Sequence, residues 1–216
     1  QKVGPYAMAA VIIGSGGYLA YKWYETKKHA ALSAAFFELE QAIDSGSPSS
    51  LEAVARDHAG QRSVTRIAET ELGDIYLTAA RRGLAPGATL KSDGSPEREE
   101  DLLTPEQSGQ YLTKAAAAFQ STFDATKGEA ALALHTLRAL FGLAAVAECK
   151  GDFEGAGRYY ADAIERANAN GFAPLAKLAT KRKETAAGLS TVGPLFKTAE
   201  LPARMEAASP FPTGAT

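Results

Sequence analysis

The residues with the most chemical potential in this chain are three histidines, His29, His58 and His135, and one cysteine, Cys149. Zinc chemistry needs such groups in clusters, as in HExxH, where two ligands share one helix face. Here the histidines stand far apart, so no metal site is expected. Nucleophilic catalysis needs an activated serine or thiol beside a base, and neither GxSxG nor a P-loop occurs. Gly14-Ser15-Gly16-Gly17 is glycine-rich, but it lies inside an apolar run where no phosphate loop can form. Cys149 falls near the end of an amphipathic segment and reads as a small buried hydrophobe rather than a reactive thiol. One cysteine also makes an intrachain disulfide impossible. The reading is a protein without an enzymatic function and without a cofactor.

Charge narrows the partners. A net charge of -2 provides no basic field to hold a polyphosphate backbone, so nucleic acid is not expected as a partner, and no small-molecule substrate is indicated. Function must then come from the elements and the surfaces they present. Alanine is abundant, which favours helix because it loses no side-chain entropy there. An all-α fold follows.

From Val3 to Tyr21 there is no charge, giving about 19 apolar or small residues against the ~20 that cross a bilayer as a helix. Four glycines from Gly4 to Gly17 would weaken a soluble core helix, the alternative reading, whereas membrane helices carry them readily. A cleaved signal is a further alternative, but the run exceeds the ~7–15 residues of a typical signal core. Tyr6 at one end and Tyr18, Tyr21, Trp23 and Tyr24 at the other suit headgroup depth, and residues 3–24 are assigned as a single transmembrane helix. Within it Ala7, Ala10, Gly14 and Gly17 recur at spacings of three and four, forming a small-residue stripe for contact with a membrane-embedded partner. Small residues are also simply common in such helices. Lys22, Lys27 and Lys28 follow the segment, which by the positive-inside rule would keep the remainder in the cytoplasm.

Residues 25–188 read as one helical domain. The first helix continues from the anchor towards Ser45, and Ser47-Pro48 opens a short second one as N-cap and first helical residue. The next, about 63–82, contains Leu72-Gly73-Asp74-Ile75-Tyr76. Residues 83–106 form a polar loop that ends at Thr104-Pro105-Glu106-Gln107, a capping box. Ala115 and Phe119 follow; then Leu140, Leu143, Ala144 and Ala147, a turn at Gly151, and Ala156, Tyr160 and Ala163. A last helix, about 173–188, carries Lys181-Arg182-Lys183 and reads as a polar cap. Pro194, Pro202, Pro210 and Pro212 make 189–216 an extended tail.

Leu-Gly-x-x-Tyr at 72–76 and Ala-x-x-x-Phe at 115–119 resemble the two helix signatures of the tetratricopeptide repeat. Leu143 to Ala156 is 13 positions, as in such a repeat; Leu72 to Ala115 is 43, so about 30 residues are inserted. A generic helical hairpin would share the three-and-four spacing. The layout, one membrane helix running into a short helical-hairpin stack, is similar to ancillary translocon-associated proteins of the YfgM type. That resemblance implies a bacterial inner-membrane protein with its domain in the periplasm, partnered by export-channel subunits or chaperones. It also implies that first helices of repeats line the binding surface, which nominates Tyr76 and His135 as contact residues. A membrane-anchored interaction scaffold is the expected function, with a structural accessory subunit of a large membrane complex as the alternative.

Overall fold

The structure is a computed structural model that describes residues 4–92, 96–189 and 191, with side chains from Tyr18 onward. The expected extended tail falls outside these residues, apart from Leu189 and Thr191. Among the described residues the fold is all-helical: α1 (Gly4–Ser45), α2 (Pro48–Asp57), α3 (Arg62–Arg82), α4 (Pro105–Thr126), α5 (Ala133–Cys149), α6 (Phe153–Ala169) and α7 (Ala173–Leu189).

α1 runs for 42 residues without a break. Its far end buries Ala35, Leu39 and Ala42, whose spacings of four and three put them on one face. Gly46 then adopts a φ of 59°, a left-handed conformation that glycine takes without steric cost, and the chain turns into α2. Ser47 occupies the N-cap position with Pro48 behind it, yet its side chain makes no cap bond; Ser47 Oγ instead pairs with Ser49 Oγ at 2.9 Å.

Each even helix lies between the two odd helices that flank it in sequence, and α3 also touches α1 and α5 directly. Among the described residues the core divides accordingly into three clusters, one each around α2, α4 and α6. The core is therefore serial: each segment is shared by neighbours, as in stacked helical hairpins.

The middle cluster is built on Phe119. Its ring is fully buried, and it fits because Gly73 on α3 and Gly142 on α5 have no side chains. A Cβ at Gly73 would fall 2.7 Å from the ring and one at Gly142 2.6 Å, well inside van der Waals contact. The third cluster uses alanine to the same end. Ala144, Ala156, Ala163, Ala167 and Ala179 are fully buried where α5, α6 and α7 meet.

On either side of residues 93–95, which lie outside the described residues, the segment from 83 to 104 is folded rather than merely polar. Leu84 bridges Leu102 and Leu90 bridges Pro96, both antiparallel, and Arg98 makes paired hydrogen bonds to the buried Asp101 at 3.1 and 2.9 Å. The segment closes at the anticipated capping box, with Gln107 N–H donating to Thr104 Oγ1 at 3.2 Å and Thr104 N–H donating to Gln107 Oε1 at 2.8 Å.

The described segment long and apolar enough to cross a membrane is Ala130–Cys149, which contains α5. Its Leu137, Leu140, Leu143 and Val146 are buried against the neighbouring helices, so the stack already accounts for its apolarity.

Candidate interaction interface

Where α3 meets α5 the molecule presents a charged face. Glu71 and Asp74 are three residues apart on α3 and so share a side of it. Arg138 on α5 reaches both: its Nη2 donates to Glu71 Oε1 and to Asp74 Oδ2, each at 2.7 Å. Burial pushes the Asp74 carboxyl above its ordinary range, and the nearby Glu71 adds to this against the opposing pull of Arg138. Burial alone would lower Arg138, but its hydrogen bonds to Asp74 and Glu71 more than offset that, and the guanidinium ends above its ordinary value.

His135 stands one turn before Arg138 and is half-buried. Burial, then the charges of Arg138 and Arg66, hold its imidazole below the usual range, so it is neutral at pH 7. It offers a partner one ring donor and one acceptor. Tyr76 is placed differently. It is 5% exposed, with its ring 5.6 Å from that of Tyr111 and its hydroxyl donating to Glu52 Oε1 of α2 at 2.9 Å. Its packing links α2, α3 and α4, and little of it is presented outward.

Beside the charged face, a cavity of about 310 Å³ lies between α3 and the 83–104 segment. Its wall combines Ile75, Leu84, Pro86 and Leu90 with Asp74, Thr78 and Arg82. Asp74 thus belongs both to this cavity and to the Arg138 cluster. The sequence reading treated the segment as a polar loop and missed this wall; the leucines at 84, 90, 102 and 103 were the available signal.

Polar ties fix the other side of α3. Arg62 is bonded to Glu129 and to the Ala125 carbonyl, while Glu69 accepts from Ser121 and Thr122 at 3.0 and 3.2 Å. At the α4–α5 turn the buried Thr136 hydroxyl donates to Thr126 Oγ1 at 2.9 Å, which in turn donates to the Thr122 carbonyl at 2.8 Å. The α3–α5 face is therefore held rigidly from behind.

Cys149, expected to be buried, is exposed at the end of α5. Partial burial still raises its thiol, with Arg81 opposing and Glu148 adding, which makes it a poor nucleophile at neutral pH. Among the described residues no group of three or more histidine, cysteine or carboxylate side chains is placed to hold a metal ion. What the surface can do is recognise polar groups.

The backbone at Ala7, Ala10, Gly14 and Gly17 lies in α1, but their side chains fall outside those described. Just beyond them Tyr18, Tyr21, Trp23 and Tyr24 are each more than 60% exposed, and Lys27 Nζ sits 4.5 Å from the Trp23 ring centre. No protein-family model matches the chain, and neither the curated proteins nor the solved structures give a match.

Proposed function

We propose that this chain is a membrane-anchored protein-interaction scaffold, with the uncharged start of α1 crossing the bilayer and a tetratricopeptide-like stack offering the α3–α5 face to other proteins. The observation that carries the reading is the continuity of α1: one helix holds both the uncharged residues from Gly4 to Tyr21 and the buried Ala35, Leu39 and Ala42. Anchor and stack then move as one body. From Tyr21 to Ala35 the helix rises about 21 Å, so the stack stands close to the surface, where confinement raises its effective concentration towards membrane neighbours.

The repeat-like reading is supported by the serial core and by Gly73 and Phe119 meeting as the motif requires. The resemblance to translocon-associated proteins favours the bacterial inner membrane and export-channel subunits or chaperones as partners. A structural accessory subunit is the second reading, favoured by Phe36 and Phe37, which are 40% and 60% exposed on α1 beyond the anchor.

Alkaline carbonate extraction of membranes from cells expressing the full chain is the first test. The protein should remain in the pellet and be released when residues 1–24 are deleted; recovery of the full chain in the supernatant would sink the reading. Cys149, exposed and the single cysteine, then reports the side. Labelling of intact spheroplasts by a membrane-impermeant maleimide places the stack in the periplasm; labelling only after lysis places it in the cytoplasm. Photocrosslinking from position 135, on the α3–α5 face, should recover a restricted set of partners, and a salt-resistant stoichiometric set would favour the accessory subunit.

A further inference from the structure

The α6–α7 pair is the last of the described stack, and a groove lies open along one side of it. Gly171, at a φ of 77°, turns the chain from α6 into α7, so the end of α7 returns beside the start of α6. Phe153, Gly157 and Ala161, spaced by four, form one wall on α6; Lys183 and Ala187, also four apart, form the other on α7. The space between them is about 430 Å³. These are not the residues that close the pair, which are the buried Ala156, Tyr160, Ala163 and Ala167. Gly157 and Ala161 are half-buried, and a Cβ added at Gly157 would meet nothing within 4 Å, so the floor is open above this glycine.

The walls specify what fits. Glu154 and Arg158 are spent on each other at 2.6 Å, and Lys183 can lay its aliphatic stem along an occupant while its ammonium stays in water. The complement of such a groove is a narrow, uncharged segment with apolar side chains on one side.

The chain supplies that segment at the groove's mouth. α7 ends at Leu189, two residues after Ala187, and the N–H and hydroxyl of Thr191 both donate to the Gly188 carbonyl, at 3.2 and 2.7 Å, which keeps the chain against the last turn. From Ser190 to Phe196 the sequence carries no charge. Pro194 cannot continue a helix and biases Gly193 towards extended backbone. In an extended segment Val192, Pro194 and Phe196 share one side. Length agrees as well: Val192 to Phe196 spans about 13 Å when extended, and the wall from Phe153 to Ala161 is about 12 Å of helix. So short a tether gives the segment a millimolar-range effective concentration at the groove.

We infer that residues 192–196 fold back along α6 and occupy this groove, with Val192, Pro194 and Phe196 turned onto the row Phe153, Gly157 and Ala161. The tail thereby caps the end of the stack, which stacked repeats require for solubility. The membrane anchor is not needed for this contact.

The test is limited trypsin digestion of the full chain in mild detergent, with the released peptides followed by mass spectrometry. Lys197 adjoins the docked segment, whereas Arg204 lies farther along the same tail and serves as the reference. Relative to the ratio in a synthetic peptide of residues 190–208, cleavage at Lys197 should be slowed about tenfold, the factor for a segment docked nine-tenths of the time. Gly157→Leu, which fills the floor and favours the helix, should restore the peptide's ratio with helicity unchanged by circular dichroism. Phe196→Ala, outside the stack, should do the same against a peptide carrying that substitution. An unaltered chain cut at the peptide's ratio overturns the proposal. Protection that survives Gly157→Leu overturns the groove as its cause, and protection that fades on dilution assigns the groove to the tail of a second copy and overturns docking within one chain.

Discussion

The pairs α3–α4 and α5–α6 solve one packing problem with different connections. The first is joined by residues 83–104 and the second by residues 150–152, yet both bring a pair of helices into close contact across a seam of small residues. In the first seam Gly73 of α3, joined by Gly142 of the following α5, receives Phe119; in the second, alanines meet alanines and Tyr160 is set edge-on to Phe141 with ring centres 5.9 Å apart. Each pair also has a buried tyrosine hydroxyl on a glutamate at 2.9 Å, but the partners differ. Both reach the preceding helix, but Tyr76 leaves its pair to bond Glu52 of α2, whereas Tyr160 bonds Glu148 of α5 inside its own pair. The seam decides how a pair closes, and the tyrosine decides whether closure is local or shared with the preceding unit.

Emptying the notch should break the comparison most severely. Phe119→Ala removes a fully buried ring that three helices enclose and should cost about 3–5 kcal/mol in thermal or urea unfolding. A loss below about 1 kcal/mol would mean that the α3–α4–α5 seam is not organised around this residue.

Filling the notch comes next. Gly142→Ala brings a methyl to 2.6 Å from the ring and should cost about 1–3 kcal/mol, through overpacking instead of a void. Combined with Phe119→Leu, which frees space, the two costs should be less than additive in a double-mutant cycle. Strict additivity would remove the claim that the residues compete for one volume.

The tyrosines sharpen the distinction between shared and local closure. Tyr76→Phe should cost about 1–2 kcal/mol and loosen α2 against α3, whereas Tyr160→Phe should do so at α5–α6, as read by hydrogen exchange. Burial, with Glu52 adding, pushes Tyr76 up to about 12 from an ordinary value of 10. Below pH 10 the hydroxyl is neutral in both states; between pH 10 and about 12 the unfolded chain loses its proton first, so stability falls as pH rises. Tyr76→Phe should flatten part of that alkaline limb, and an unchanged limb would assign it to other groups.

The smallest effect concerns the connection. Leu84 bridges Leu102, so the ends of the long segment are already adjacent, and a four-residue Gly/Ser link replacing residues 84–102 should change stability by within about 1 kcal/mol. A much larger loss would make the segment part of the core.

Local signals carried much of this fold into view before any coordinates. The capping box at Thr104 and the turn at Gly151 depend on neighbours within a few residues, and both stand where the spacing put them. Gly73 and Phe119 were visible as halves of a motif, but Gly142 was passed over for Ala144, because which small residue faces a ring depends on helix rotation. The same limit hid the charged face. Arg138 lies 64 positions from Asp74 along the chain, and nothing local marks them as partners. Tyr76 was nominated as a contact because first helices of repeats line binding surfaces, but its packing with Tyr111 and its bond to Glu52 turn it inward.

The unbroken α1 carries angular phase as well as distance. An α-helix turns about 100° per residue, so the azimuth of its first residues is locked to that of the stack buried at its far end. One residue inserted between Glu25 and Ala34 would swing the amino-terminal face by more than a quarter turn while lifting it only about 1.5 Å; seven would restore the bearing to within about 20°. The helix works as a keyed shaft, in which only insertions close to whole turns preserve the bearing of one end on the other.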